Sequence, residues 1–276
     1  MTARRTAVVT GASSGLGAGI ARALAARDHD VVLVARRADR LEALADELRT
    51  AHGVAAHVVA VDLADPAGPA RVAAAVADLG PDVLVNAAGF GTAENLVDED
   101  PARIAEEVDV NVRALTVLTR LLLPSLLASP AGLLVNVSST ASFQPVPGLA
   151  VYAATKAYVT SLTEAVWAET RGSALTVVCL CPGPADTEFF QVAGTERFKV
   201  GQVVTVEQVV DVAMRAARGR GPLPTAVVGW RNRVTSVLTP RLPRRLVLTV
   251  TARLTGATER REAPVTVAAG TGEQAR

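Results

Sequence analysis

The sequence predicts a doubly wound α/β fold, a parallel sheet of about seven strands with helices on both faces. Three observations carry this prediction. Short, nearly all-apolar runs recur along the chain, stretches with helical apolar spacing separate them, and the first run ends in a glycine-rich turn that opens into a helical pattern.

The apolar runs fall at 7–10, 31–34, 58–61, 83–85, 133–137, 175–180 and 226–228. Their lack of polar alternation suits strands covered on both faces. Between them, Leu41, Leu44, Ala45 and Leu48 form one helical stripe, and Ile104, Val108, Val112, Leu115 and Leu118 another. No linker precedes Gly219, so residues 1–230 read as one domain. Residues 231–256 read as a basic amphipathic extension, and 257–276, small and polar without period, as a flexible tail.

Composition narrows the function classes. The chain has 276 residues, half of them hydrophobic and a fifth charged, which excludes a disordered chain. A net charge of +1 and 3% aromatic residues give neither a basic field nor stacking platforms for nucleic acid. The two cysteines, Cys179 and Cys181, stand in one strand-like run without nearby histidine, so no disulfide framework and no metal site is expected. With no signal peptide and no apolar run read as long enough to span a bilayer, the expected location is the cytoplasm.

The first strand leads into Thr10-Gly11-Ala12-Ser13-Ser14-Gly15-Leu16-Gly17, followed by the helical pattern of Ile20, Ala23 and Leu24. Glycines at this junction permit a tight turn and close backbone approach, and the helix N-terminus offers N–H groups to a pyrophosphate. The spacing is GxxxGxG rather than GxGxxG, but its place in the first βα unit favours a dinucleotide. An NAD site places a carboxylate at the end of the second strand; here Arg36 and Arg37 stand there, and guanidinium suits a 2′-phosphate. NADP(H) is therefore expected over NAD(H), with Arg36 as the leading contact. Asp62 and Leu63 close the third strand, where Asp62 could bond an adenine amine. Asn86, Ala87, Ala88 and Gly89 close the fourth, small enough for a ribose to pass.

Tyr152 and Lys156 are spaced i, i+4 at the start of a helical segment and share one face. Ser138 and Ser139 end the strand 133–137, at the carboxyl edge where open α/β sheets bind ligands. Asn111 interrupts an apolar stripe and calls for a specific partner. Carbonyl reduction needs a proton donor at the developing alkoxide. An ammonium about 4 Å from a phenol at an effective dielectric of about 20 contributes about 4 kcal/mol before desolvation, so Lys156 is expected to lower the Tyr152 pKa. A serine can hold the substrate oxygen, and Asn111 can anchor a water that connects Lys156 to solvent.

Taken in order, TGASSGLG at 10–17, VDL at 61–63, NAAG at 86–89, Asn111 in DVNV, NVSS at 136–139, YAATK at 152–156 and PGPADT at 182–187 resemble the short-chain dehydrogenase/reductase family over roughly residues 5–230. The resemblance implies a Rossmann-type fold and an Asn111-Ser139-Tyr152-Lys156 tetrad, and it selects Ser139 over Ser138 by its thirteen-residue separation from Tyr152. It also implies that Tyr152 and Lys156 contact the nicotinamide ribose, and that Pro182, Gly183 and Thr187 meet the nicotinamide end. The family's usual NNAG reads NAAG here, and the chain continues beyond Trp230, further than shorter members.

The implied activity is interconversion of a ketone or aldehyde with an alcohol. A membrane-associated lipid- or steroid-type reductase and a non-catalytic dinucleotide sensor are the alternatives. A lid is expected at about 185–203. Its Phe189 and Phe190, with Phe143 opposite, would either line a lipophilic pocket or serve as ordinary packing of the lid helix. The arginines and leucines of the extension suit a membrane surface, a subunit contact or a solvated face. A homodimer or homotetramer is the expected assembly.

Overall fold

The computed structural model describes residues 4–185, 187–189, 202–219 and 223–256. Seven parallel strands form one sheet: β1 (Thr6–Thr10), β2 (Asp30–Ala35), β3 (Ala56–Ala60), β4 (Val83–Asn86), β5 (Leu133–Val137), β6 (Thr176–Cys181) and β7 (Thr225–Val227). Their spatial order is β3-β2-β1-β4-β5-β6-β7. The order reverses between β1 and β4, and the carboxyl ends of this pair open the crevice in which such sheets bind ligands.

Three helices cover one face: α1 (Gly15–Ala25), α2 (Ala38–His52) and α7 (Val206–Ala216). Ile20, Leu24, Leu41, Leu48 and Val209 pack there on Val9, Leu33 and Val135. The other face carries α3 (Gly68–Ala75), α5 (Leu115–Ala128) and α6 (Ala150–Glu169). Val72, Leu118, Leu122, Leu126 and Val166 pack on Val8, Val32, Leu84 and Leu134. Neighbouring strand residues such as Val8 and Val9 thus enter opposite cores, which is why these strands are apolar throughout. Cys179 and Cys181 share one side of β6, with free sulfurs 3.7 Å apart.

Before α5 the chain forms α4 (Pro101–Val108) and a π-helical turn, Asp109–Ala114. The continuous run Pro101–Ala128 contains an 18-residue stretch with a mean hydropathy of 1.4, enough by length and composition to cross a bilayer, contrary to the expectation that no such run exists. Arg113 and Arg120 break the apolar pattern in sequence, and the inward leucines are packed on the sheet. After β7 come α8 (Trp230–Leu238) and α9 (Arg244–Leu254), joined by a short 3-10 turn, Thr239–Arg241. Most of the expected lid and the expected tail lie outside the described residues.

Candidate active site

One cavity of about 800 Å³ runs along the carboxyl edge of the sheet, from the glycine turn to the C-terminal helices. At its first end β1 stops at Thr10, whose Oγ1 accepts the N–H groups of Ala87 and Ala88 and ties the loop after β4 to the turn. Gly11 has φ of +67°, and a Cβ there would lie 2.8 Å from the Ala88 nitrogen. At Gly17 a Cβ would meet the Gly11 carbonyl oxygen at 2.3 Å, so α1 could not seat on the strand. Gly15, Leu16 and Gly17 line the cavity at the α1 N-terminus, where first-turn N–H groups lack helical acceptors. Ser13, Asp62, Leu63, Ala88 and Gly89 line the same space. This cradle fits a dinucleotide: donors face a place where a single added methyl group would close the turn.

The two arginines after β2 part company. Arg37 donates to the hydroxyls of Ser13 and Ser14 at 3.0 Å and pairs with Glu188. Arg36 pairs with Glu106 at 3.0 Å. Both line the cavity, but the cluster of donors centres on Arg37 rather than on Arg36. Glu188 also pairs with Arg40, and these hydrogen bonds hold its carboxyl below the usual range.

Asn86 turns its side chain away from the cavity. Its amide donates to Thr119 Oγ1 at 3.0 Å and to Asn136 Oδ1 at 2.9 Å, and Asn136 passes the chain on to Thr163. That buried network joins β4, β5, α5 and α6. The Asn86 side chain therefore faces the core, not the cavity, because a buried amide requires partners.

Between the cradle and the C-terminal helices, Ser139, Tyr152 and Lys156 meet. Ser139 leaves β5 in extended backbone, accepts the Ala141 N–H at 3.1 Å, and hydrogen-bonds the Tyr152 phenol. Ser138 turns away, donating to the Lys156 carbonyl at 2.9 Å and sharing a 2.7 Å bond with Thr160. Lys156 Nζ donates to the Val137 carbonyl at 2.9 Å and sits 5.7 Å from the Tyr152 ring centre. Asn111 is fully buried within the π turn. Its Nδ2 donates to the Phe90 carbonyl at 2.8 Å and to Thr155 Oγ1 at 3.1 Å, while Oδ1 accepts the Phe90 N–H.

The phenol does not behave as the lysine argument predicts. Burial pushes Tyr152 up to about 12, opposed by the Ser139 hydrogen bond and aided by the negative charge of Glu107. Burial also lowers Lys156 to about 8. Desolvation outweighs the expected ammonium–phenol attraction in this pocket.

Phe143 and Phe189 line the cavity as expected, and the Phe189 and Tyr152 rings stand 5.0 Å apart. Pro182, Gly183 and Thr187 line it as well; Phe190 lies outside the described residues. Three contributors escaped the sequence reading. Gly91 approaches so closely that a Cβ would lie 2.9 Å from Tyr152 Cδ2. Glu107, fully buried, accepts from the Thr92 N–H and hydroxyl through Oε2. The extension lines the far wall through Leu242, Leu246, Val250 and Leu254, an outcome that none of its three expected roles included. A glycine two residues past NAAG was the one available sequence signal for the first; the others carried none.

Comparison with known proteins places the chain by sequence and fold. The family model for short chain dehydrogenases matches residues 5–197. A short chain dehydrogenase of Pseudocercospora fijiensis is 37% identical over 67% of this chain, and the match spans 60% of that relative's own length. A solved short-chain dehydrogenase from Sphingobium yanoikuyae in complex with NADPH is 32% identical, with a TM-score of 0.75 over 94% of this chain and 97% of that one. The bulky-bulky ketone specific alcohol dehydrogenase from Comamonas testosteroni is 27% identical, with a TM-score of 0.71 over 94% and 96%. Fold and site together define an oxidoreductase built on a dinucleotide cradle. The chain belongs to the short-chain dehydrogenase family.

Proposed function

We propose that this chain is an NADPH-dependent reductase of ketones or aldehydes, running in reverse as an alcohol dehydrogenase. One observation carries the reading: Ser139, Tyr152 and Lys156 converge in one cavity with the glycine turn, Ser13 and Arg37. When bound, the dihydronicotinamide supplies the hydride that attacks the carbonyl carbon. Ser139 and Tyr152 hydrogen-bond the substrate oxygen and orient it. As the C=O π pair moves onto oxygen, the Tyr152 hydroxyl gives up its proton and the alcohol forms. A phenol held near 12 is protonated at neutral pH, which suits an acid acting in the reductive direction. Lys156, supplied through a water held at Asn111, returns a proton to the phenolate.

The preference for the 2′-phosphorylated cofactor rests on the guanidiniums at the end of β2. Arg37, already among the hydroxyls of Ser13 and Ser14, offers bidentate contact, and Arg36 can join it by leaving Glu106. The complex of the Sphingobium yanoikuyae relative with NADPH supports the same reading. A non-catalytic sensor would have no use for the complete tetrad.

Turnover of NADPH with a ketone panel, compared with Tyr152→Phe, tests the chemistry. The variant should lose at least about a hundredfold in kcat, the usual scale for a general acid, and equal turnover would refute the mechanism. Arg36→Asp and Arg37→Asp, assayed separately, should each move selectivity towards NADH, with the larger shift at Arg37. Unchanged selectivity in both would remove the cofactor assignment.

A further inference from the structure

The cavity has two chemically distinct halves. Its charged lining residues among those described are Arg36, Arg37, Asp62, Lys156 and Glu188, all in the cradle or at the catalytic centre. Beyond Tyr152 the described lining is apolar or neutral. One wall is Phe143, Val146, Leu149 and Phe189; the other is the C-terminal helix pair.

That pair sorts its side chains by face. Leu246, Val250 and Leu254 follow each other at i, i+4 along α9 and line the cavity, with Val247, Thr251 and Thr255 beside them. The arginines of the extension, Arg231, Arg233, Arg241, Arg244, Arg245 and Arg253, are absent from the lining. Residues 231–256 contain no Asp or Glu to pair with them. The segment therefore keeps its charge outside while it turns aliphatic side chains inward. These inward side chains are not packed away: Leu246 is 50% exposed and Leu254 59% exposed. They face open space continuous with the catalytic centre.

The extension is also fastened to the site. Asn232 of α8 accepts the Gln202 N–H at 3.3 Å and donates to the Gln202 and Val228 carbonyls at 3.1 and 3.0 Å. It lies against Gly183, where a Cβ would approach its Nδ2 to 2.3 Å. The wall is thus tied to the loop after β6 that lines the cavity beside the catalytic groups.

We infer that α8 and α9 form the specificity wall of this site. They select an uncharged carbonyl compound with an elongated apolar body, whose C=O sits at Ser139 and Tyr152 and whose body lies along Leu246, Val250 and Leu254. This deepens the reductase reading and rests on it. The stripe from Leu246 to Leu254 covers eight residue steps, on the order of 12 Å at the α-helical rise. An apolar body of that length would cover side chains that now face solvent, a gain a short ketone cannot supply. A carboxylate on the same body would have to enter a half that offers no cation among the described lining residues, a desolvation cost without compensation.

The test uses the full chain with NADPH and three ketones, 2-butanone, 2-octanone and 2-dodecanone, plus a keto acid as long as 2-dodecanone with the carboxylate at its far end. Both kcat/KM and calorimetric binding to the NADP⁺-loaded protein are measured. The expected result is a rise of at least about tenfold in kcat/KM and in affinity from 2-butanone to 2-dodecanone, with the keto acid at least about tenfold poorer than 2-dodecanone. Leu246→Ala combined with Leu254→Ala should flatten the chain-length slope in both measurements. Val250→Lys should narrow or reverse the discrimination against the keto acid.

Turnover that is indifferent to chain length in the native chain, or a slope that survives the double substitution, overturns the wall. Chain-length-dependent binding without any turnover keeps the wall and refutes the reductase. Neither binding nor turnover of any of these compounds refutes both.

Discussion

Glu107 is a carboxyl group with no exposed surface, one turn before Asn111 in the chain and close enough to Tyr152 and Lys156 to influence both. Only Oε2 is bonded, to Thr92; Oε1 is buried without a partner. Burial outweighs the two Thr92 hydrogen bonds and holds the carboxyl above its usual range. The sign of the linkage follows. Above about pH 4.5 the unfolded chain begins to release this proton while the folded chain retains it, so folding stability falls as pH rises through the folded value. Glu107→Gln removes the titration and keeps an oxygen for Thr92. The native protein should lose thermal stability relative to this variant as pH increases from 4.5 to 7, measured by melting temperature across buffers. A constant difference across that range would show that the fold does not hold this carboxyl above its usual range.

At the scale of elements, what was legible depended on how local the determining interactions are. The strands were readable to within about two residues because burial on both faces leaves an uninterrupted apolar run, as at Val31 to Val34. The glycine turn and the serine-tyrosine-lysine set were readable because each lies at a strand end or within one helical turn. The π turn at Asp109–Ala114 was not, since the apolar stripe runs through it unchanged. Its effect is to place Asn111 between Phe90 and Thr155, a service π turns often perform at functional sites. The destination of α9 was equally hidden: an amphipathic stripe declares that it faces something apolar, not whether that is lipid, a partner or the chain's own cavity. Which way the Asn86 side chain points was not legible, because position at a strand end does not reveal it. After this turn, α5 is anchored by its inward leucines, and Leu118 is 1% exposed among Val8, Leu84 and Leu134. Leu118→Ala should cost about 3–5 kcal/mol of unfolding free energy by chemical denaturation. A loss under about 1 kcal/mol would mean that the helix does not hold this face.

At the scale of the molecule, the outer side of the same helix poses a question of partners. Val117, Leu121 and Leu127 of α5 are exposed, and so is Tyr158 of α6, which bonds Thr116 at 3.1 Å and brings the two helices' outer faces together. Apolar side chains grouped on adjacent helices mark an association surface more often than a solvated one. A bilayer fits poorly, because Glu106, Asp109, Arg113 and Arg120 punctuate the run from Pro101 to Ala128. A second copy of the chain fits better. Two such faces related by a twofold axis would set α5 and α6 against their own counterparts and leave the cavity mouth, beside α9, open. The protein should therefore sediment as a dimer or larger at micromolar concentration. Leu121→Arg puts a charge at the centre of that patch without touching the core, so it should yield a monomer with unchanged circular dichroism. A native protein that sediments as a monomer, or a variant of undiminished mass, would move the assembly surface elsewhere or abolish it.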